Sequence, residues 1–386
     1  MVDVFNVNEY IECFRNNHPS PRLFEDEYLS KIFKSLAKTK NCSYREIYST
    51  TIYPQYLSVN EQDVIAWDSL YWDLFERYLY GIWQIEDSSQ FPINTTDYFF
   101  SIICLFLSLR FESVPIFSLV FAKHYAGTGF AVLPFSRHEK ISINSQLQNS
   151  HFAEVLCLCK VFAFLHELAH CISRRDDDYH SEIFSSVKDL CKQITTMPWP
   201  FADTSMRDAA IAISNGKEKK LTEEVCCDLY AILSGINIAN NLFPQESHKD
   251  AFIHYTQSMR YLIAFQISMN QVEDRFNFLH DLIDNNALDE LTMDEVDRRH
   301  SESRMSVHIR NGLSYCLAGI YLKFEDLHST DNILDTDFFR TQVQPAFNMA
   351  MDSVFIDSFV IEYIDIYGKF SDAQLSRCRD MLVGWY

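Results

Sequence analysis

Two histidines four residues apart, with a glutamate beside the first, are where this chain could do chemistry: His166-Glu167-Leu168-Ala169-His170. On a helix, residues i and i+4 share one face a turn apart, so both imidazoles can reach one metal ion. Glu167 lies beside that face, where its carboxylate can take a proton from a water held by the ion. The flanks suit such a helix. Ala163, Phe164, Leu165, Leu168, Ala169, Cys171 and Ile172 carry no charge, and neither proline nor glycine interrupts them. The plainer alternative is a core helix whose histidines are merely hydrogen-bonded, so further ligands decide between the two.

A catalytic zinc takes three protein ligands and keeps one position open for water. The metzincin continuation would need Gly three and His six residues after His170, but Ser173 and Asp176 stand there. A better donor set lies in Leu221-Thr222-Glu223-Glu224-Val225-Cys226-Cys227-Asp228-Leu229-Tyr230-Ala231. Thr222 reads as an N-cap, followed by acidic residues in the first turn and an apolar periodic run. Glu224 and Asp228, four apart, share a face. Glu224 can ligate while Asp228 accepts a hydrogen bond from a ligating imidazole and fixes its tautomer. Glu223 is the local rival as ligand, with Glu182 and His180 next.

H-E-x-x-H followed by E-x-x-x-D on a second helix resembles the gluzincin class of zinc metallopeptidases. The layout is most similar to intracellular members with an E-x-x-A-D motif. The resemblance covers these two helices. It implies His166, His170 and Glu224 as ligands of Zn2+, Glu167 as general base and Asp228 as support behind a ligand. Two departures stand out: Cys227 occupies the place of the usual small Ala, and the separation from His170 to Glu224 is longer than in thermolysin-like enzymes.

Further along, His300, Arg304 and His308 fall at i, i+4 and i+8. This cationic stripe would steady the charge that develops on a carbonyl oxygen. It is loosely similar to a His…Arg element of some membrane-linked gluzincins, without their Pro. A solvated patch pairing with Asp294, Glu295 or Asp297 fits as well. Zincins commonly hold a peptide as an added strand on a sheet edge above the active-site helix. Pro115–Val120 and Gly129–Phe135, joined through the turn residues Ala126–Gly129, read as the hairpin for that task, or as an ordinary core hairpin.

These motifs need positioning elements, and the chain reads as mostly helical. Glu61–Tyr80 shows apolar residues at helical spacing. Similar stretches occur near 8–16, 24–38, 97–112, 150–174, 204–214, 222–240, 250–283, 294–324 and 346–367. Arg174–Asp178 reads as a charged loop, and it or the Pro198-Trp199-Pro200 connection would serve as a lid. The fold class expected is predominantly α with a small β part (α+β). The resemblance implies a zincin-like metallopeptidase core with a hairpin or small sheet. The organisation is a helical N-terminal subdomain over 1–92, the core over 93–243, and a helical C-terminal subdomain over 244–386 closing the cleft.

Composition narrows the function classes. The chain has 386 residues, with 47% hydrophobic and 15% aromatic, enough for a large core. Nine glycines and no phosphate-loop signature argue against nucleotide-driven chemistry. A net charge of −20 repels phosphate backbones and anionic membranes, so neither nucleic acid nor membrane is expected as partner. Met1-Val2-Asp3-Val4-Phe5 carries no secretory pattern, and the apolar segment Tyr98–Phe111 is shorter than the ~20 residues a bilayer requires. Eleven cysteines without paired spacing read as reduced thiols. The expectation is a cytoplasmic zinc endopeptidase acting on a protein or peptide. Its alternatives are a catalytically silent binding protein on the same scaffold and a partner-triggered toxin or anti-phage protease.

Overall fold

A computed structural model of the chain describes residues 27–47, 54–59, 62–86, 95–110, 151–175, 177–196, 204–242, 248–284, 309–310, 312–322 and 343–355, with 373 and 376. In chain order the elements are helix α1 (Glu27–Thr39), strands β1 (Ser43–Ile47), β2 (Gln55–Val59) and β3 (Gln62–Asp68), then helices α2 (Ser69–Glu86), α3 (Thr95–Arg110), α4 (His151–Arg175), α5 (Asp177–Thr196), α6 (Thr204–Ser214), α7 (Lys219–Leu242), α8 (His248–Asp284), α9 (Gly312–Tyr321) and α10 (Gln344–Asp352). Helix predominates, with one three-stranded sheet among the described residues. The chain divides into two compact units, 1–73 with 136–263 and 308–334, and 74–135 with 264–307 and 335–386.

In the first unit, α4 is the central beam. It is apolar nearly all round, the composition of a helix buried among neighbours. Val155, Leu158, Phe164, Leu165, Leu168 and Cys171 are all buried. Glu154 in its first turn and Arg174 and Arg175 in its last match the helix dipole. Glu154–Arg175 is long and apolar enough to cross a membrane, and 67% of that window is buried inside the protein, as a core helix would be. α4 packs along α7 and also meets α1, α5, β2 and β3. Phe164 stacks on Phe33 of α1 at 4.1 Å between ring centres, and both rings meet the β3 residue Trp67, at 6.5 Å and 5.3 Å.

The sheet has order β1-β3-β2, with β1 parallel and β2 antiparallel to β3. It lies within the stretch expected to be helical, so 1–92 is not helical throughout. Gln62–Asp68 is β3, and the helix begins only at Ser69. The reason is burial on both faces: Val64, Ile65, Ala66 and Trp67 are all inside, so β3 lacks the alternation that marks a half-exposed strand. Its apolar residues run without a break into those of α2, and the merged pattern looks helical. A second correction concerns Arg174–Asp178. Arg174 and Arg175 are the last turn of α4, and Asp177 already opens α5. The apolar spacing Ile183, Val187, Leu190, Cys191, Ile194 is helical, and the last four are buried. The expected hairpin of 115–135 and the Pro-Trp-Pro connection lie outside the described residues.

The second unit holds an aromatic cluster. Tyr78 lies 5.5 Å from Phe99, 5.2 Å from Phe265 and 6.1 Å from Phe347, and its hydroxyl meets Ser268 Oγ at 3.1 Å. Arg275, fully buried, pairs with Asp352 at 3.1 Å.

Candidate metal centre

α4 and α7 lie side by side, and their motifs meet. His166 and His170 stand one turn apart on α4, with Nε2 atoms 3.2 Å from each other. Glu224 of α7 places Oε2 3.5 Å from His166 Nε2 and Oε1 3.7 Å from His170 Nε2. These three residues form a group that could hold a metal ion, with one donor atom from each inside 4.8 Å of the others. Atoms bound ~2.0–2.1 Å from one tetrahedral cation stand about 3.4 Å apart. The imidazole pair at 3.2 Å and the carboxylate contact at 3.5 Å lie on either side of that value, and one donor from each of the three residues lies within 4.8 Å of the others, so the set fits such an ion. The donor chemistry agrees. His166 Nδ1 faces Asp228 Oδ1 at 2.8 Å, which leaves the Nε2 lone pair for the shared point.

Asp228 is fully buried. Oδ1 lies 2.8 Å from His166 Nδ1 and accepts from Arg310 Nη2 (3.3 Å), while Oδ2 accepts from Arg310 Nε (2.8 Å) and Ser314 Oγ (3.2 Å). Arg310 also gives Nη1 to Glu224 Oε2 at 2.8 Å. One guanidinium therefore fixes both Glu224 and the carboxylate that faces His166. Burial favours the neutral acid in both carboxyls, but neighbouring charge wins. Glu224 is held down to about 2 by the hydrogen bond and charge of His166, then by Arg310 and His170. Asp228 is held below its ordinary range by Arg310 first and His166 next. Burial alone would lower the His166 pKa, yet Asp228, with Glu224, lifts it to about 9. His170 goes the other way: burial and then the neighbouring His166 charge lower it.

Glu167 sits behind this group. Burial raises its pKa to about 7, against the opposing charge of His166 and a hydrogen bond from Tyr56. That bond runs from the Tyr56 backbone N–H to Oε2 at 2.6 Å. Tyr56 lies on β2, an outer strand of the sheet, so its N–H leaves the ladder and reaches α4. Its ring stacks on His170 at 6.3 Å, and its hydroxyl donates to Asp63 at 2.6 Å. Asp63 in turn pairs with Arg175 at the end of α4. Strand and helix are thus tied at two points, one on each side of His170.

The structure brings His166, Glu167, His170, Glu224 and Asp228 together. Glu223, the local rival, is half-exposed and lies 3.7 Å from His170 Nδ1, on the far side of that ring from Glu224. It also lines a cavity of about 350 Å3 with Phe184, Lys188, Gly216, Lys219 and Thr222. Glu182 is exposed on α5 and outside the metal-competent group. The side chains of His180, His300, Arg304 and His308 lie outside the described residues. Sequence reasoning missed Arg310, Ser314 and Tyr56. Arg310 and Ser314 carried one faint signal, a cation and a hydroxyl four residues apart at the start of an apolar helix. Tyr56 carried none, because its part is played by a backbone N–H. Comparison of the chain with protein-family models, curated proteins and solved structures finds no match.

Proposed function

We propose that this chain is a zinc-dependent metalloendopeptidase with a gluzincin-type site on a zincin-like core. The observation that carries the reading is the convergence of two imidazoles and one carboxylate beside a partly buried glutamate whose pKa is raised to about 7. Nitrogen and carboxylate donors, three in number, are the set that catalytic zinc takes. His166, His170 and Glu224 would hold it. When bound, zinc would polarise a substrate carbonyl and lower the pKa of a water to ~7.

The chain's own residues supply the rest. Glu167, near 7, is matched to accept a proton at physiological pH and return it to a leaving amine. The Tyr56 N–H fixes the carboxylate oxygen Oε2, leaving Oε1 for the proton. Asp228 and Arg310 hold His166 and Glu224, and every Arg310 nitrogen is already engaged, so Arg310 positions ligands instead of meeting substrate. The stripe of His300, Arg304 and His308 stays our candidate for the carbonyl oxygen. The outward Tyr56 N–H of β2 is taken by the Glu167 carboxylate, so β2 serves to hold the base. The substrate we propose is a protein or peptide. Nine described cysteines, all free, support a reducing compartment and a cytoplasmic enzyme. The catalytically silent alternative is disfavoured by Glu167, since a purely structural site has no use for a general base.

The test compares wild type with Glu167→Gln. Zinc content should be equal, and mapping of new protein termini in expressing cells should show cleavages with wild type only. The same new termini with both proteins would refute the mechanism.

A further inference from the structure

The two ligating histidines are supported differently. His166 Nδ1 has a buried carboxylate at 2.8 Å. His170 Nδ1 has two neighbours, the half-exposed Glu223 Oε1 at 3.7 Å and the buried Cys227 Sγ at 3.4 Å. An oxygen at 3.7 Å is beyond hydrogen-bond length, whereas sulfur, a larger atom, bonds at 3.4 Å. Cys227 lies three residues after Glu224 on α7, so one helical turn carries the ligand, the thiol and Asp228.

We propose that Cys227 is the positioning residue of His170, its sulfur fixing the Nδ1 hydrogen so that Nε2 faces the ion. This rests on the reading that the site holds a divalent cation. A thiol suits the position in a way a carboxylate does not, because it both donates and accepts. Without an ion, the two Nε2 atoms at 3.2 Å share one hydrogen. If His170 supplies it, Nδ1 is bare and takes the S–H. If His166 supplies it, Nδ1–H points to sulfur, as it does when Nε2 ligates. The same side chain serves each arrangement without moving. Sulfur is a weak acceptor, so His170 is the less firmly held imidazole and the first to let go of the ion.

The experiment titrates zinc alone into the full-length chain against a competing chelator. Cys227→Ala should weaken zinc about 10-fold, the lower end of what supporting residues contribute. Cys227→Ser, which keeps a donor and acceptor there, should recover most of it, and Glu223→Gln should bind like wild type. The ring nitrogen shifts of His170, read by NMR, should change in Cys227→Ser and not in Glu223→Gln. Unaltered zinc affinity in Cys227→Ala, or a loss that follows Glu223→Gln instead, overturns the assignment. If wild type takes up no zinc, the metal reading fails on its own, and the His170 shifts of the metal-free chain still decide whether sulfur is its partner. The same shifts decide if Cys227→Ala does not fold.

Discussion

Asp228 is the residue on which most of the site's electrostatics converge. Removing its carboxylate leaves Arg310 without two of its three bonds and His166 without its acceptor. Asp228→Ala should weaken zinc by roughly 10–100-fold. It should also destabilise the fold by about 3–5 kcal/mol, the cost of stranding one member of a buried ion pair. Chelator competition and urea unfolding measure the two losses separately. His166 sets the pH dependence of the metal-free chain. Its pKa rises on folding from 6.5 to about 9, so its stabilisation is complete below 6.5 and lost as pH climbs through 9. Glu167, raised from 4.5 to about 7, acts in the same direction over the lower range. Urea midpoints should therefore fall between pH 6 and 9.5, and a flat profile would contradict the His166–Asp228 pairing. Zinc uptake at pH 7 to 8 should release about one proton, because the ion displaces it from His166.

At the scale of elements, legibility in the sequence followed periodicity. α4 and α7 could be placed because their apolar residues repeat at helical spacing, and that spacing alone puts His166 with His170 and Glu224 with Asp228. β3 could not, because burial on both faces erases alternation and lets Val64–Trp67 pass for the start of a helix. α5 was hidden by the charges at its start. The strands matter most for Glu167: β2 holds it through a main-chain amide that no residue type announces. Proline is tolerated on an outer strand when its nitrogen faces away from the ladder. Tyr56→Pro should therefore leave the sheet and zinc content intact while removing this hydrogen bond. Peptidase turnover should drop roughly 10²-fold, as for a misaligned general base. Tyr56→Phe, which keeps the amide and the ring over His170, should lose far less. Equal losses in the two variants would assign the effect to the hydroxyl and its Asp63 contact.

For the whole molecule, the site belongs to the first unit, and the aromatic cluster of Tyr78, Phe99, Phe265 and Phe347 belongs to the second. Zinc that binds only the folded site stabilises it by about 2.7 kcal/mol when free metal is 100 times the dissociation constant. Chelation should remove that amount. Hydrogen exchange should then quicken in α4 and α7 while α3 and α10 keep their protection. Loss of protection spread evenly over both units would show the ion acting elsewhere. Arg310 could not be paired with its partner from sequence for a reason at this scale. It lies 82 residues from Asp228, and nothing local to either position marks the pairing.

The first unit is assembled from three separated lengths of chain, and the last, 308–334, brings the guanidinium. During synthesis on the ribosome, both histidines and both carboxylates emerge long before their counter-charge. Until Arg310 arrives, Glu224 and Asp228 would be two anions forced together on one helical turn, a poor mould for a metal ion. A chain cut short of Arg310 should therefore hold a divalent ion more weakly than one that includes it.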